Sequence, residues 1–423
     1  MIINMIFERI ELKKGVFVSV VKTDKFKTNL LTVNLLTPLS ADTASLNSLL
    51  TDVLKRGTVN YPTMQSLNKK QDELYSLGLG SYVQKRGEVQ SVSFELSAID
   101  DAYTFDKINL LEQAIELLSE MIFSPLTENG VFLADYVTQE KKNLIDNIKA
   151  QINNKTSYAI KRCHEIMCEG EPFAVNATGE ISQVEKITPE QLYAQYKKVL
   201  DTASVEVLYV GDKEASDIAA LITKHLPFAD RKPLAIETIV KTSVEKVKNQ
   251  IEKMQISQCK LSIGLRIGTS LKSKDYIKFA LFNEIFGGST TSKLFINVRE
   301  KKSLCYYCSP VVEGVKGVMV IASGVDAKNK DVAYEAILEQ LEDVKNGVIS
   351  DNEFNDAKRS LENAYREITD SPASICTWYL SRIIAGRTDS PEDAAECLDV
   401  ITKQDVVSMA KRLVLDTIYS LEA

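Results

Sequence analysis

The stretch SLLTDVLKRGT, residues 48–58, gathers two hydroxyls and a carboxylate, Ser48, Thr51 and Asp52, within one helical turn. Leu46, Leu49, Leu50, Val53 and Leu54 recur at helical spacing, which predicts a helix with its apolar stripe inward and the three polar residues together on the opposite face. Oxygen donors of this kind suit Mg²⁺ or Ca²⁺ better than zinc, and isolated ones bind weakly. On residue types alone the trio is a solvated helix face.

Other chemistry-bearing residues are sparse. There are two histidines, His164 and His225, so any mechanism needing several imidazoles is excluded. His164 falls in the helical run SYAIKRCHEIMCEG with no nucleophile and orienting group around it, and His225 near a helix end suits the negative pole of the helix dipole. Cys305-Tyr-Tyr-Cys308 has the spacing of redox and zinc motifs. No thioredoxin-like strand-to-helix setting precedes it and no second ligand pair accompanies it, so packed thiols are the expectation. Gly287-Gly288-Ser289-Thr290-Thr291-Ser292-Lys293 is not a phosphate loop, which needs G-K-[ST] leading directly into its helix; a turn with a hydroxyl N-cap is expected.

The elements that position these residues repeat. A strand LLTVNLLTPL (30–39), a helix ending near Gly57, a second helical stretch and a strand VQSVSFELSAID come first. KLSIGLRIGTSL (260–271), DYIKFALFNEIF, Gly287-Gly288, SKLFINVREKK and VKGVMVIASGVD return in the same order, with the first strands about 230 residues apart. LLEQAIELLSEMIFSP is answered by VAYEAILEQLEDVKNG, and ITPEQLYAQYKKVL by ITKQDVVSMAKRLVL. This period indicates duplication: two α+β domains, each a mainly antiparallel sheet with helices packed on one face. The expected division is 1–228 and 254–423, joined by a linker at 229–253.

A chain of 423 residues with net charge −7 from 51 basic and 58 acidic residues gathers no basic block, which excludes nucleic acid as the expected partner. No run is long and apolar enough for a bilayer, the N-terminal sequence lacks the order of a signal peptide, and seven cysteines suit reduced thiols. A cytoplasmic location is expected.

The full chain resembles the insulinase and pitrilysin metallopeptidases, especially bacterial members of this length and the mitochondrial processing peptidase. The resemblance rests on the duplicated halves, on LKRGTVNYP, on VNATGEISQVEKITPEQLYAQYKKVL followed by VEVLYVGD, and above all on FGGSTTSKLFINVREKKSLCYY. It implies a clam-like chain and an inverted zinc motif, H-x-x-E-H, on the first helix, with a third ligand downstream. Ser48, Thr51 and Asp52 stand where His, Glu and His would be, and Asn147, beside Asp146, stands where the downstream glutamate would be. Glu140 matches an acidic position near that site. The resemblance further implies that Arg299 and Tyr306 hold substrate in the cleft, with Tyr307 competing for the tyrosine role, and that Gly287 and Gly288 let backbone approach substrate.

The expectation is therefore a non-catalytic homologue with no metal or other cofactor of its own. It would bind peptide or unfolded polypeptide and pair with a zinc-bearing homologous subunit in bacterial peptide or precursor processing. Two alternatives stand beside it: a hydrolase with a hard metal held by Asp52, Glu140 and Asp146, and a stand-alone structural or peptide-binding homodimer.

Overall fold

The computed structural model describes residues 5–105 and 108–423. The first half forms a six-stranded sheet from β1 (Ile6–Lys13), β2 (Val16–Lys22), β3 (Thr28–Pro38), β4 (Gly78–Arg86), β5 (Val89–Ile99) and β6 (Ser204–Gly211), in the order β1-β2-β6-β3-β5-β4. The second half forms a five-stranded sheet from β7 (Lys248–Lys253), β8 (Cys259–Arg266), β9 (Cys305–Glu313), β10 (Val318–Val325) and β11 (Val414–Glu422), in the order β7-β11-β8-β10-β9. Superposing the orders pairs β2, β6, β3, β5 and β4 with β7, β11, β8, β10 and β9. Polarity matches as well: β2 and β6 run parallel, as do β7 and β11, and the remaining neighbours are antiparallel. The repeat read from the sequence is a repeat of topology, with β1 as an addition to the first copy. β7 lies within 229–253, so the segment read as linker contributes a strand at its C-terminal end.

Alternation explains one face of the first sheet. Val18, Val20, Leu31, Val33, Leu35, Val92, Phe94, Leu96, Val205 and Val207 point to the helices Ala41–Leu54, Leu110–Phe123 and Pro189–Thr202 and form one apolar core with them. The opposite face carries Thr32, Asn34, Ser91, Ser93 and Glu206, a pattern that reads as solvated, yet all five are buried. Ser93 donates to Asn34 Oδ1 at 2.8 Å, Asn34 Nδ2 donates to Thr32 Oγ1 at 3.0 Å and to the Glu206 carbonyl at 3.1 Å, and Arg9 pairs with Glu206. This face lies in the same compact unit as residues 371–380, from the second half of the sequence. Tyr379 stacks on Phe7 of β1 with ring centroids 4.1 Å apart, and the Cys376 thiol meets Thr32.

The second sheet shows the converse. Its unit takes in residues 150–174, from the first half of the sequence. Ala159, Cys163 and Met167 of the helix Lys155–Met167, with Cys168 and Phe173 beyond it, pack on Val318, Val320, Tyr419 and Leu421. Gly264 of β8 makes room for them, since a Cβ there would lie 2.9 Å from Met167 Sδ. A buried ionic clasp holds the segment's end: Arg266 donates to Glu171 Oε1 at 2.7 Å and to Asp416 Oδ2 at 2.8 Å, and Lys316 reaches Glu171 at 2.7 Å. Each sheet therefore has helices on both faces, and on one face the covering residues come from the opposite half of the sequence. The compact units are 1–149 with 175–237 and 371–380, and 150–174 with 238–370 and 381–423. They interleave along the chain instead of meeting once in a linker.

Candidate functional site

The helix Ala41–Leu54 begins at Ser40, whose hydroxyl accepts from the Asp42 amide at 3.2 Å. Two of its three polar residues are not solvated, contrary to what residue types suggest: Ser48 is 4 % exposed and Thr51 3 %, while Asp52 is partly exposed. β4 runs past this face, with Ser81 Oγ donating to the Thr51 carbonyl at 2.7 Å. The loop at Gly179 closes the helix further along, where φ is +78° and a Cβ would lie 2.0 Å from Ser45 Oγ, so only glycine fits. Asn47 sits in a buried amide chain, donating to Gln90 Oε1 at 2.8 Å and accepting from Gln195 Nε2 at 2.7 Å.

These positions do not fit zinc. Thr51 donates its hydroxyl to the Ser48 carbonyl at 2.8 Å, Asp52 is neutralised by Lys55 at 3.0 Å, and neither hydroxyl supplies the nitrogen or thiolate that structural and catalytic zinc sites use. Glu140, on the helix Ala134–Ala150, is buried against Arg56 at 3.2 Å and accepts from Asn143 at 3.0 Å. Asp146 and Asn147 lie on the exposed side of that helix. The hard-metal alternative required Asp52, Glu140 and Asp146 to converge, and among the described residues they do not form a ligand cluster; Asp52 and Glu140 are paired with Lys55 and Arg56, and Asp146 is exposed.

Among the described residues, the set of three metal-ligating types that does converge is Glu112, Glu116 and His225. His225, at the C-terminus of the helix Ala215–His225, lies 2.9 Å from Glu112 Oε1 and 3.6 Å from Glu116 Oε1. Lys224 already occupies the cationic place at 2.7 Å, and its hydrogen bond, with that of His225, holds the Glu112 carboxyl down at about 2. The cluster is an ion-pair network at a helix end. His164 packs edge-on against Phe173 at 5.4 Å between centroids, in keeping with a packed histidine.

The second sheet presents the other candidates. The helix Tyr276–Asn283 continues as a π-helical turn over Glu284–Gly288, and a second π-helical segment runs from Leu294 to Lys301. Such wide turns are uncommon and concentrate at functional sites. Between them Ser292 accepts from the Phe295 amide at 3.4 Å as the expected hydroxyl cap, and Lys293 is buried in an ion pair with Glu353 at 2.7 Å. Gly287 is interior: a Cβ there would lie 2.6 Å from Pro310 Cδ and 2.8 Å from Leu294 Cδ1. Close packing, not substrate approach, requires that glycine, while Gly288 is exposed.

Arg299 lies on the second π segment, half-exposed, with its guanidinium 4.6 Å from the Phe295 ring centroid and 3.6 Å from Glu300. β9 follows, and its register against β10 slips once: Cys305 faces Val325, Tyr307 faces Gly324 and Cys308 faces Ser323. Tyr306 is the extra residue of a β-bulge, which aims its ring outward, 62 % exposed, with the hydroxyl 3.4 Å from Asp326 Oδ1. Tyr307 is engaged from both sides, its hydroxyl 2.9 Å from Thr156 Oγ1 and its ring under Lys260. The bulge thus separates the two tyrosines, Tyr306 standing exposed and Tyr307 packed. Sequence reading missed this device and the shared face it creates for Cys305 and Cys308. The signal was present in two cysteines three apart within one strand, which cannot both point inward without a slip.

Comparison with known proteins follows the same outline. A family model described as the peptidase M16 inactive domain matches residues 186–361. The chain is 34 % identical over 409 residues, 96 % of each protein, to the "Probable inactive metalloprotease YmfF" of Bacillus subtilis (strain 168). A conserved protein from Enterococcus faecalis V583 has a crystal structure with TM-score 0.89 and 28 % identity, covering 99 % of this chain and 98 % of the other. The peptidase M16 inactive domain from Pseudomonas fluorescens, at 18 % identity, shares the fold with TM-score 0.80 over 98 % of both chains.

Proposed function

Because this chain belongs to the M16 peptidase family while carrying Ser48, Thr51 and Asp52 in place of H-x-x-E-H, we propose that it is a non-catalytic homologue that binds peptide and serves a zinc-bearing partner subunit. The partner's metal would activate water. This chain would contribute a guanidinium and a phenol, Arg299 and Tyr306, as donors to the carbonyl of an extended peptide and to the oxyanion formed on attack.

One observation carries the reading. Tyr306 stands outward on a bulge with Arg299 half-exposed on the preceding turn, while Ser48 and Thr51 of the first helix are buried, with β4 bonded to the Thr51 carbonyl. Donor groups are displayed where there is no metal to serve in this chain's own sequence. The setting we envisage is bacterial, cytoplasmic peptide or precursor processing.

Peptide hydrolysis is to be measured with the purified chain alone, with a zinc-bearing homologue alone, and with the two mixed. The expected result is no hydrolysis by the chain alone, hydrolysis by the mixture, and a fall of about a hundredfold with Arg299→Ala, the size of effect seen when one oxyanion donor is lost. Chelator-sensitive cleavage by the chain alone would overturn the non-catalytic reading. A homodimer on cross-linking that binds peptide and ignores the homologue would replace the partner-subunit reading with a stand-alone binder.

A further inference from the structure

All seven cysteines are free thiols, and five of the six buried ones fit the packed-thiol expectation or lean towards it: burial pushes Cys163 up, Cys168 and Cys259 up to about 11, and Cys376 up to about 12, while Cys308 is also raised. Cys305 differs because of where the bulge puts it. In a regular strand, residues 305 and 308 would lie on opposite faces. The extra residue Tyr306 turns their relation into that of next-but-one neighbours, opposite Val325 and Ser323, so both side chains share one face. The two thiols are therefore neighbours on that face, with Ser323 directly opposite Cys308.

That arrangement favours negative charge on one sulfur. The neighbouring Cys308 thiol is the main cause, burial opposes it, and Ser323 and the Arg299 guanidinium add to it, so the Cys305 thiol is lowered to about 7. A thiolate at one sulfur, a protonated thiol beside it and a nearby cation are the parts of a dithiol exchange centre.

We propose that Cys305 and Cys308 form a thiol–disulfide exchange site whose substrate is a low-molecular-weight disulfide of the glutathione class. The Cys305 thiolate attacks one sulfur of R–S–S–R, forms the Cys305–S–S–R bond and expels RS⁻. Cys308 then gives up its proton, attacks the Cys305 sulfur and expels the second RS⁻, leaving a Cys305–Cys308 disulfide. The two protons of the dithiol end on two RSH, the protein is oxidised by two electrons and the small disulfide is reduced. A bridge spanning only two residues of an extended strand is strained, so an excess of small thiol reverses it readily. The proposal stands whether or not Arg299 and Tyr306 bind peptide.

The test uses the full chain with Cys397→Ser, which removes the exposed thiol. After incubation with oxidised glutathione at neutral pH, remaining thiols are alkylated and the protein is analysed by intact mass and peptide mapping. The expected result is loss of two thiols, mapped to Cys305 and Cys308 and restored by dithiothreitol. With Cys308→Ser the reaction stops at one glutathione on Cys305, and with Cys305→Ser it slows by about tenfold or more. Full alkylation of both cysteines after oxidised glutathione, or a bridge mapped to any other pair, would overturn the proposal. Absence of the glutathione adduct in Cys308→Ser would do the same, because Cys305 would then not be the attacking thiol.

Discussion

Thr51 closes its hydroxyl on the Ser48 carbonyl and both residues are packed away, so the place of the family's metal motif is filled with protein. Rebuilding the motif as Ser48→His, Thr51→Glu and Asp52→His would insert larger side chains at two buried positions, one of them bonded to β4. Overpacking of this kind costs about 1–3 kcal/mol per site. The expected outcome is a lower midpoint in denaturant and no stoichiometric zinc by elemental analysis. Glu171 presents the opposite case, a buried charge that is fully matched. Burial pushes its carboxyl up, but hydrogen bonds from Arg266 and Lys316 overcome this and hold it at about 2. Because the folded-state value lies below the ordinary 4.5, its stabilising contribution is complete above pH 4.5 and is lost as pH falls towards 2. Glu171→Gln removes one buried negative charge shared by Arg266 and Lys316, with Asp416 still facing Arg266, and is expected to cost up to about 3–5 kcal/mol at neutral pH and to flatten the acid limb of a stability profile.

At the scale of elements, the π-helical turn Glu284–Gly288 depends on a residue without a side chain at 287. Gly287→Ala would press a methyl against the rigid Pro310 ring on β9 and displace the segment that leads to Arg299. The expected outcome is a loss of about 1–3 kcal/mol in chemical denaturation, with unchanged stability arguing that the turn adapts. Much of this level was legible in the sequence. Repeated strand and helix order revealed the duplication. What stayed hidden has a physical cause. Thr32, Asn34, Ser91 and Ser93 alternate with apolar residues as a wet face would, and only hydrogen bonding among them lets that face be buried. Likewise, Ser48 and Thr51 read as solvated because what buries that face, β4 among it, lies outside the helix's own sequence.

At the scale of the whole molecule, the interleaving of units along the chain governs how it can be cut. Residues 229–247 have no regular structure, while Arg231 at one end is buried and donates to the Leu200 carbonyl at 2.7 Å, and Lys316 donates to the Ile239 carbonyl at 2.7 Å further on. Limited proteolysis is expected to nick this stretch first, at Lys232, Lys241 or Lys246. The fragments are expected to co-elute under native conditions, since each compact unit holds residues from both sides of the nick. Separation into two independently folded pieces would show that residues 150–174 and 371–380 can be surrendered at little cost. The same interleaving sets an order of events on the ribosome. The helix Lys155–Met167 has been made before the first residue of the sheet it covers, so the apolar face bearing Val318, Val320, Tyr419 and Leu421 meets its cover at once. The first sheet is complete at Gly211 but waits about 160 residues for Pro372, on the order of ten seconds or more of synthesis. The face left waiting is the one built from Ser, Thr and Asn, the kind of surface a half-made chain can expose to water and to its neighbours without aggregating.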